Sequence, residues 1–173
     1  MKIKEIALCA LFVAIIAVCA QLAVPFPGGV PITLQTFAIA FAGYFLGTKK
    51  GTLCVLVYLL LGAVGLPVFS GLKGGFAALV GYTGGFLFGF LGLSLLAGLS
   101  LRYPKRLAQW GMGILGLLFC HLLGTLWYMY LAKVPFGTAC ALVCLPFLVK
   151  DILSVILAAT MAALLKKRIG NSR

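Results

Sequence analysis

Six stretches of apolar residues set the pattern of this chain, each parted from the next by a short polar, basic or glycine- and proline-rich break. They fall at about residues 6–24, 31–46, 51–70, 75–101, 107–130 and 139–165. A bilayer core takes ~20 apolar residues as helix. The pattern therefore predicts six transmembrane helices, the longest of them tilted or extended beyond the lipid. The first stretch follows Lys2 and Lys4 as a signal peptide would. Its 19 residues exceed a signal core of about 7–15, and it reads as a retained helix.

Composition agrees. Of 173 residues, 64% are hydrophobic and 9% charged, with a mean hydropathy of +1.21. A globular domain is about 25% charged, so soluble enzyme, secreted disulfide scaffold and disordered tail are excluded. The length fits one transmembrane domain over residues 1–173. The expected fold is an all-α integral membrane protein, a six-helix bundle. The net charge of +12 sets 14 Lys and Arg against Glu5 and Asp151. These basic residues cluster between the apolar stretches, a pattern that orients helices and not one that binds nucleic acid. An even number of crossings puts both termini on one side. That side collects eleven basic residues: Lys2, Lys4, Lys49, Lys50, Arg102, Lys105, Arg106, Lys166, Lys167, Arg168 and Arg173. The other side holds Lys73 and Lys133, with Lys150 inside the sixth stretch. Both termini are expected to be cytoplasmic, in a multi-pass protein of the cytoplasmic membrane.

Counting outward from each basic cluster places the polar groups in depth. Twenty residues from Leu165 reach Pro146, which suits a first helical turn because its missing N–H would have no partner there. Asp151 then lies ~8 Å below the outer boundary, and Lys150 is shallow enough to snorkel outward. The same count puts Tyr82 at the outer edge of the fourth stretch and Thr83 just inside. His121 and Gln21 come out in the outer third. Thr33, Gln35 and Thr36 open the second stretch, and Ser70 closes the third. The inner half offers little beyond Tyr58, Ser94, Ser154 and Thr160. A through-pore would need polar lining along its whole length. This distribution describes a pocket open to the outside over a dry floor, suited to capture of a solute. Two outer loops, residues 25–31 and 66–75, are rich in proline and glycine and carry Phe26 and Phe69, with Phe76 just beyond. They read as lids over an apolar ligand in preference to plain connectors.

Asp151 is the sharpest candidate, since a carboxylate in a span faces a partner or a cavity. An ion pair with Lys150 is the alternative. Adjacent helical positions point ~100° apart, which disfavours it. His121, the single histidine, reads as hydrogen-bonded structure. Gly81, Gly85 and Gly89 predict close helix packing. Ala7, Ala10, Ala14 and Ala17 share roughly one face of the first helix, for packing or for another membrane protein. The six cysteines read as small buried hydrophobes, and Cys140 and Cys144 alone make no metal site. No paired carboxylates, no His–Cys constellation and no Walker-type GxxxxGK[ST] sequence occur, so catalysis and ATP hydrolysis by this chain are not expected. No cofactor or metal is expected.

The runs Val-Pro-Ile-Thr-Leu-Gln-Thr-Phe at 30–37, Leu-Leu-Leu-Gly-Ala-Val-Gly-Leu-Pro-Val-Phe at 59–69 and Gly-Tyr-Thr-Gly-Gly-Phe at 81–86 closely resemble the BioY family. These are the biotin-binding S components of energy-coupling factor (ECF) transporters. The resemblance covers the first four helices strongly and the sixth more weakly. It implies six helices and a biotin site near the outer surface. It also implies docking onto a membrane coupling subunit, served by ATPase subunits, through an Ala-x-x-x-Ala face matched by Ala10 and Ala14. The family's Gly-Asp-x-x-Lys pattern reads here as Lys150-Asp151-Ile152-Leu153-Ser154: the Asp is kept, Ser154 replaces the Lys, and Lys150 replaces the Gly. Tyr82 stands where Pro is common and Phe86 where Tyr is common.

Biotin's chemistry suits this inventory. Its ureido N–H groups need an acceptor such as Asp151, its rings need walls such as Phe69 and Phe86, and its carboxylate needs Lys73 or Lys150. The expected ligand-binding set is Asp151, Lys150, Lys73, Thr33, Gln35, Phe69, Tyr82, Thr83, Phe86 and Ser154. Two rival readings are an S component for another small vitamin and a small multi-span membrane enzyme.

Overall fold

Residues 3 to 21 contain no glycine or proline, and there the computed structural model, which describes residues 3–171, forms its first helix, α1 (Ile3–Gln21). Strands β1 (Ala23–Val24) and β2 (Ile32–Thr33) then pair antiparallel, Ala23 opposite Thr33 and Val24 opposite Ile32. The proline-rich loop is thus the tip of a small hairpin, which an all-helical pattern did not foresee. α2 (Gln35–Leu46) and α3 (Thr48–Ala63) follow, joined by Gly47 alone. Its φ of 81° is open to glycine at little cost and lets α3 fold straight back against α2.

Beyond α3 come α4 (Phe76–Val80), α5 (Gly84–Leu99), a single 3-10 turn (Ser100–Arg102), α6 (Arg106–Ala132), α7 (Phe136–Val143) and α8 (Leu145–Asn171). Three apolar stretches are therefore interrupted. The third stops being helix at Ala63. The fourth breaks at residues 81–83, where Gly81 turns extended and its carbonyl accepts the indole N–H of Trp127 at 3.0 Å. The sixth breaks at Cys144, because Pro146 has no N–H to give to Leu142 and its ring crowds that carbonyl. Pro146 accordingly sits in the first turn of α8.

Among the described residues, four helical segments are long and apolar enough to cross a membrane: Ile3–Gln21, Gly84–Arg102, Arg106–Ala132 and Leu145–Ile169. α2 and α3 are shorter, 12 and 16 residues. At 1.5 Å per residue they reach only ~18 and ~24 Å, since the hairpin before α2 and the loop after α3 take up the rest of those two stretches. The main core gathers Ile16, Ile39, Val55, Tyr58, Leu93, Leu117 and Val155 at the centre of the bundle. A second cluster of Val30, Tyr128, Ala139, Val143 and Phe147 seats the hairpin tip on α6, α7 and α8. On α1, Ala7, Ala10 and Ala14 face outward, uncovered by the rest of the chain.

α5 and α6 meet at glycine. A Cβ on Gly85 would run into Trp127 and lie 2.7 Å from the Leu123 carbonyl, and one on Gly89 would lie 2.8 Å from the Cys120 Cα. Gly81 takes no part in this contact, because it sits in the break and not on α5. Gly89→Ala should lower stability by about 1–3 kcal/mol, since backbone must move to admit the methyl. Gly111→Ala, on α6 with open space around it, should be neutral or slightly stabilising. Thermal unfolding of the two variants in detergent checks the contrast; equal melting points would mean that α5 and α6 are not in close contact.

Candidate ligand-binding site

The breaks in the helical pattern converge at one end of the bundle, where the hairpin, the loop 64–75 and the first turns of α5 and α8 surround a cavity. Its space, counted with the open mouth, is about 740 Å³. Phe69, Phe86, Phe90 and Phe147 form aromatic walls, and the polar lining comes from Thr33, Gln35, Thr36, Ser70, Lys73, Thr83, His121, Lys150 and Asp151.

Three charged or titratable groups meet on one side. Asp151 on α8 is 4% exposed, and its Oδ2 lies 3.1 Å from Nε2 of His121 on α6, itself 4% exposed. The Lys150 ammonium forms an ion pair with Oδ1 of Asp151 and donates to the Thr33 carbonyl at 2.7 Å. This corrects two expectations. Adjacent positions do diverge on the helix, but four methylenes let Lys150 curl back over the cavity to its neighbour. Having found that partner and a β2 carbonyl, it does not snorkel outward. His121 is hydrogen-bonded, as its reading as structure required, and it also lines the cavity with its ring edge-on to Phe86 at 5.8 Å and 85°.

A second network starts from Thr33. The Thr33 hydroxyl donates to Gln35 Oε1 at 3.1 Å, Gln35 Nε2 donates to the Tyr58 hydroxyl at 2.8 Å, and that hydroxyl donates to the Val68 carbonyl at 3.1 Å. The cavity wall is thereby tied through α3 to the loop 64–75. The same loop closes on itself between Phe69 and Lys73, with backbone bonds of 2.9 and 3.3 Å. Gln21 at the end of α1 clasps it from outside, its amide donating to the Phe69 carbonyl at 3.1 Å and accepting from Leu72 N–H at 2.9 Å.

Eight of the ten residues expected to hold ligand line this cavity: Asp151, Lys150, Lys73, Thr33, Gln35, Phe69, Thr83 and Phe86. Tyr82 and Ser154 do not. Tyr82 lies in the break before α5 and turns away to pack its ring against Tyr128 at 5.3 Å, 47% exposed. Ser154 is one turn below Lys150, and its hydroxyl is spent on the Lys150 carbonyl at 2.8 Å. Gln21, placed by depth beside the pocket, acts on the loop from behind. Phe76 heads α4 and is 71% exposed, so of the three loop-region phenylalanines it covers nothing. Phe69 is buried in the wall, and Phe26 packs edge-on to Phe147 at 5.4 Å. Sequence reasoning missed the Tyr58 relay and gave Phe90 and Phe147 no place in the site. It also missed the pairing of His121 with Asp151, although both came out in the outer third of the depth count.

Known proteins resemble this chain in sequence and in fold. Residues 1–171 match the BioY family. A Pyrococcus horikoshii protein described as a probable biotin transporter BioY is 42% identical over 173 residues, covering 99% of this chain and all of that one. The biotin transporter BioY of Thermotoga maritima is 39% identical, covering 91% of this chain and 92% of its own. A crystal structure of the S-component for biotin from an ECF-type ABC transporter superposes with a TM-score of 0.88 at 30% identity, over 96% of this chain and 92% of that one. With residues 1–171 matched by the family and the fold matched over 96% of its length, the chain belongs to the BioY family.

Proposed function

We propose that this chain captures biotin for uptake across the cytoplasmic membrane, as the substrate-binding S component of an ECF transporter. It is a transport protein and not an enzyme. The observation that carries the ligand is the charge layout of the cavity. Lys73, Lys150 and Asp151 sum to one net positive charge around aromatic walls. Biotin is an apolar bicycle with a ureido face at one end and one carboxylate at the other. Asp151 accepts ureido N–H groups, Phe69, Phe86 and Phe90 flank the rings, and Thr33, Gln35 and Thr83 supply polar contacts along the edge. Lys150 is already paired with Asp151, while Lys73 makes no ion pair among the described residues and is left for the carboxylate. A cationic vitamin would meet repulsion at the same place.

In this reading the domain is single, residues 1–173. α1, α2, α3, the α4–α5 pair, α6 and α8 make six crossings, with both termini cytoplasmic and the cavity facing outward. The exposed Ala10 and Ala14 leave α1 smooth enough for the helix of a membrane coupling subunit to approach closely. ATPase subunits supply the energy, since this chain carries no nucleotide-binding loop.

Titrating biotin into the purified chain by calorimetry tests the ligand. Asp151→Asn keeps the size and removes the charge, and hydrogen bonds to charged groups contribute ~1.5–3 kcal/mol, so affinity should fall roughly 10- to 150-fold. Unchanged affinity in a folded variant would take Asp151 out of the site. For the partner surface, Ala14→Trp should reduce uptake by cells while biotin binding by the isolated chain survives. Loss of both together would mean that Ala14 packs within the bundle. For the orientation, single cysteines at positions 73 and 133 should react with an impermeant thiol reagent on intact cells, in a background lacking the native cysteines. Labelling at position 50 with none at 73 would invert the topology.

A further inference from the structure

We propose that His121 is a positioning residue of the site, holding the Asp151 carboxylate from a second helix so that it meets the ligand in a fixed orientation. This rests on the reading of the cavity as a biotin site, which assigns His121 no task. Three observations carry it. First, the Asp151 carboxylate can only accept, so the proton between it and His121 sits on Nε2, and Oδ2 is occupied by an N–H donor from a different helix. Second, the other oxygen, Oδ1, is buried and paired with the Lys150 ammonium, so the carboxylate is held at both oxygens, from α6 and from its own helix. Third, the imidazole has little freedom to turn. Phe86 lies edge-on to it, and His121 is 4% exposed.

The consequence is a fixed pairing of polar groups. With Oδ2 held by α6 and Oδ1 by Lys150, the carboxylate keeps one orientation. Its remaining acceptor capacity and the Lys150 ammonium then offer an acceptor and a donor close together. A ureido group offers the complement, an N–H beside a C=O. A donor–acceptor pair held in place before the ligand arrives binds more tightly than one that must first be ordered. The site built this way selects a cyclic urea over an analogue that lacks the N–H.

Biotin titrations into the purified chain test this with four variants, each first checked for a folded, monodisperse state by gel filtration and thermal unfolding. His121→Phe keeps a flat ring against Phe86 and removes the donor, and affinity should fall on the order of 10-fold. His121→Gln places an amide N–H near the position of Nε2 and should recover most of that loss. Asp151→Asn supplies the background for a double-mutant cycle. If His121 acts through Asp151, adding His121→Phe to Asp151→Asn should cost less than twofold more. Wild-type affinity in His121→Phe would overturn the proposal, and so would a full additional loss on the Asp151→Asn background or no recovery in His121→Gln. Those results leave the biotin reading standing. Absence of biotin binding by the wild-type chain would instead overturn the reading and the inference together.

Discussion

A carboxylate kept inside an apolar helical bundle is the constraint around which the rest of this structure is arranged. Left alone, the Asp151 charge would cost several kcal/mol, so it survives only with partners. Those partners come from different parts of the chain. His121 reaches from α6, Lys150 curls back on α8, and Lys150 in turn grips the Thr33 carbonyl of β2. One charge thereby draws two long helices and the hairpin to the same point. The phenylalanines around it exclude water, which strengthens each of these attractions and raises the cost of losing any one of them.

The loop over the cavity is held by a different logic. It carries Phe69, Ser70 and Lys73 into the lining, yet few of its own residues are buried. Its position is set by side chains from helices that do not touch the charge group. Tyr58 of α3 bonds Gln35 on one side and the Val68 carbonyl on the other, and Gln21 of α1 takes both a carbonyl and an N–H of the loop. The loop's place therefore reports on α1 and α3.

Much of this was legible in the sequence because the membrane imposes a simple rule: apolar runs make helices, and polar groups within them mark where function sits. Depth counting from the basic clusters gathered Asp151, Thr33, Gln35 and Thr83, which do line one cavity. What escaped notice depends on side-chain reach. Whether Lys150 points outward or curls inward turns on torsions that helical spacing does not encode. Tyr82 stands at about the right depth but on the wrong side of its backbone, and Ser154, which the depth count put in the inner half, lies one turn below the cavity with its hydroxyl on the Lys150 carbonyl. The helix breaks at 81–83 and 144 were also written in glycine and proline, yet unbroken hydropathy across them concealed the interruption.

Below the cavity the character of the bundle changes. Ile39, Leu93, Ala97, Val155 and Ala158 are fully buried, and the Ser94 side chain among them is buried with them. Where α5 meets α6 and α2, glycine brings backbones into contact at Gly89 and Gly43. The interior of such packing resists local opening, because parting the helices exposes tightly matched surfaces all at once. Capture and passage are thus separate problems for this chain. In the proposed reading the cavity at the hairpin end holds a small anion, and a membrane partner docked on the uncovered face of α1 drives its release on the far side.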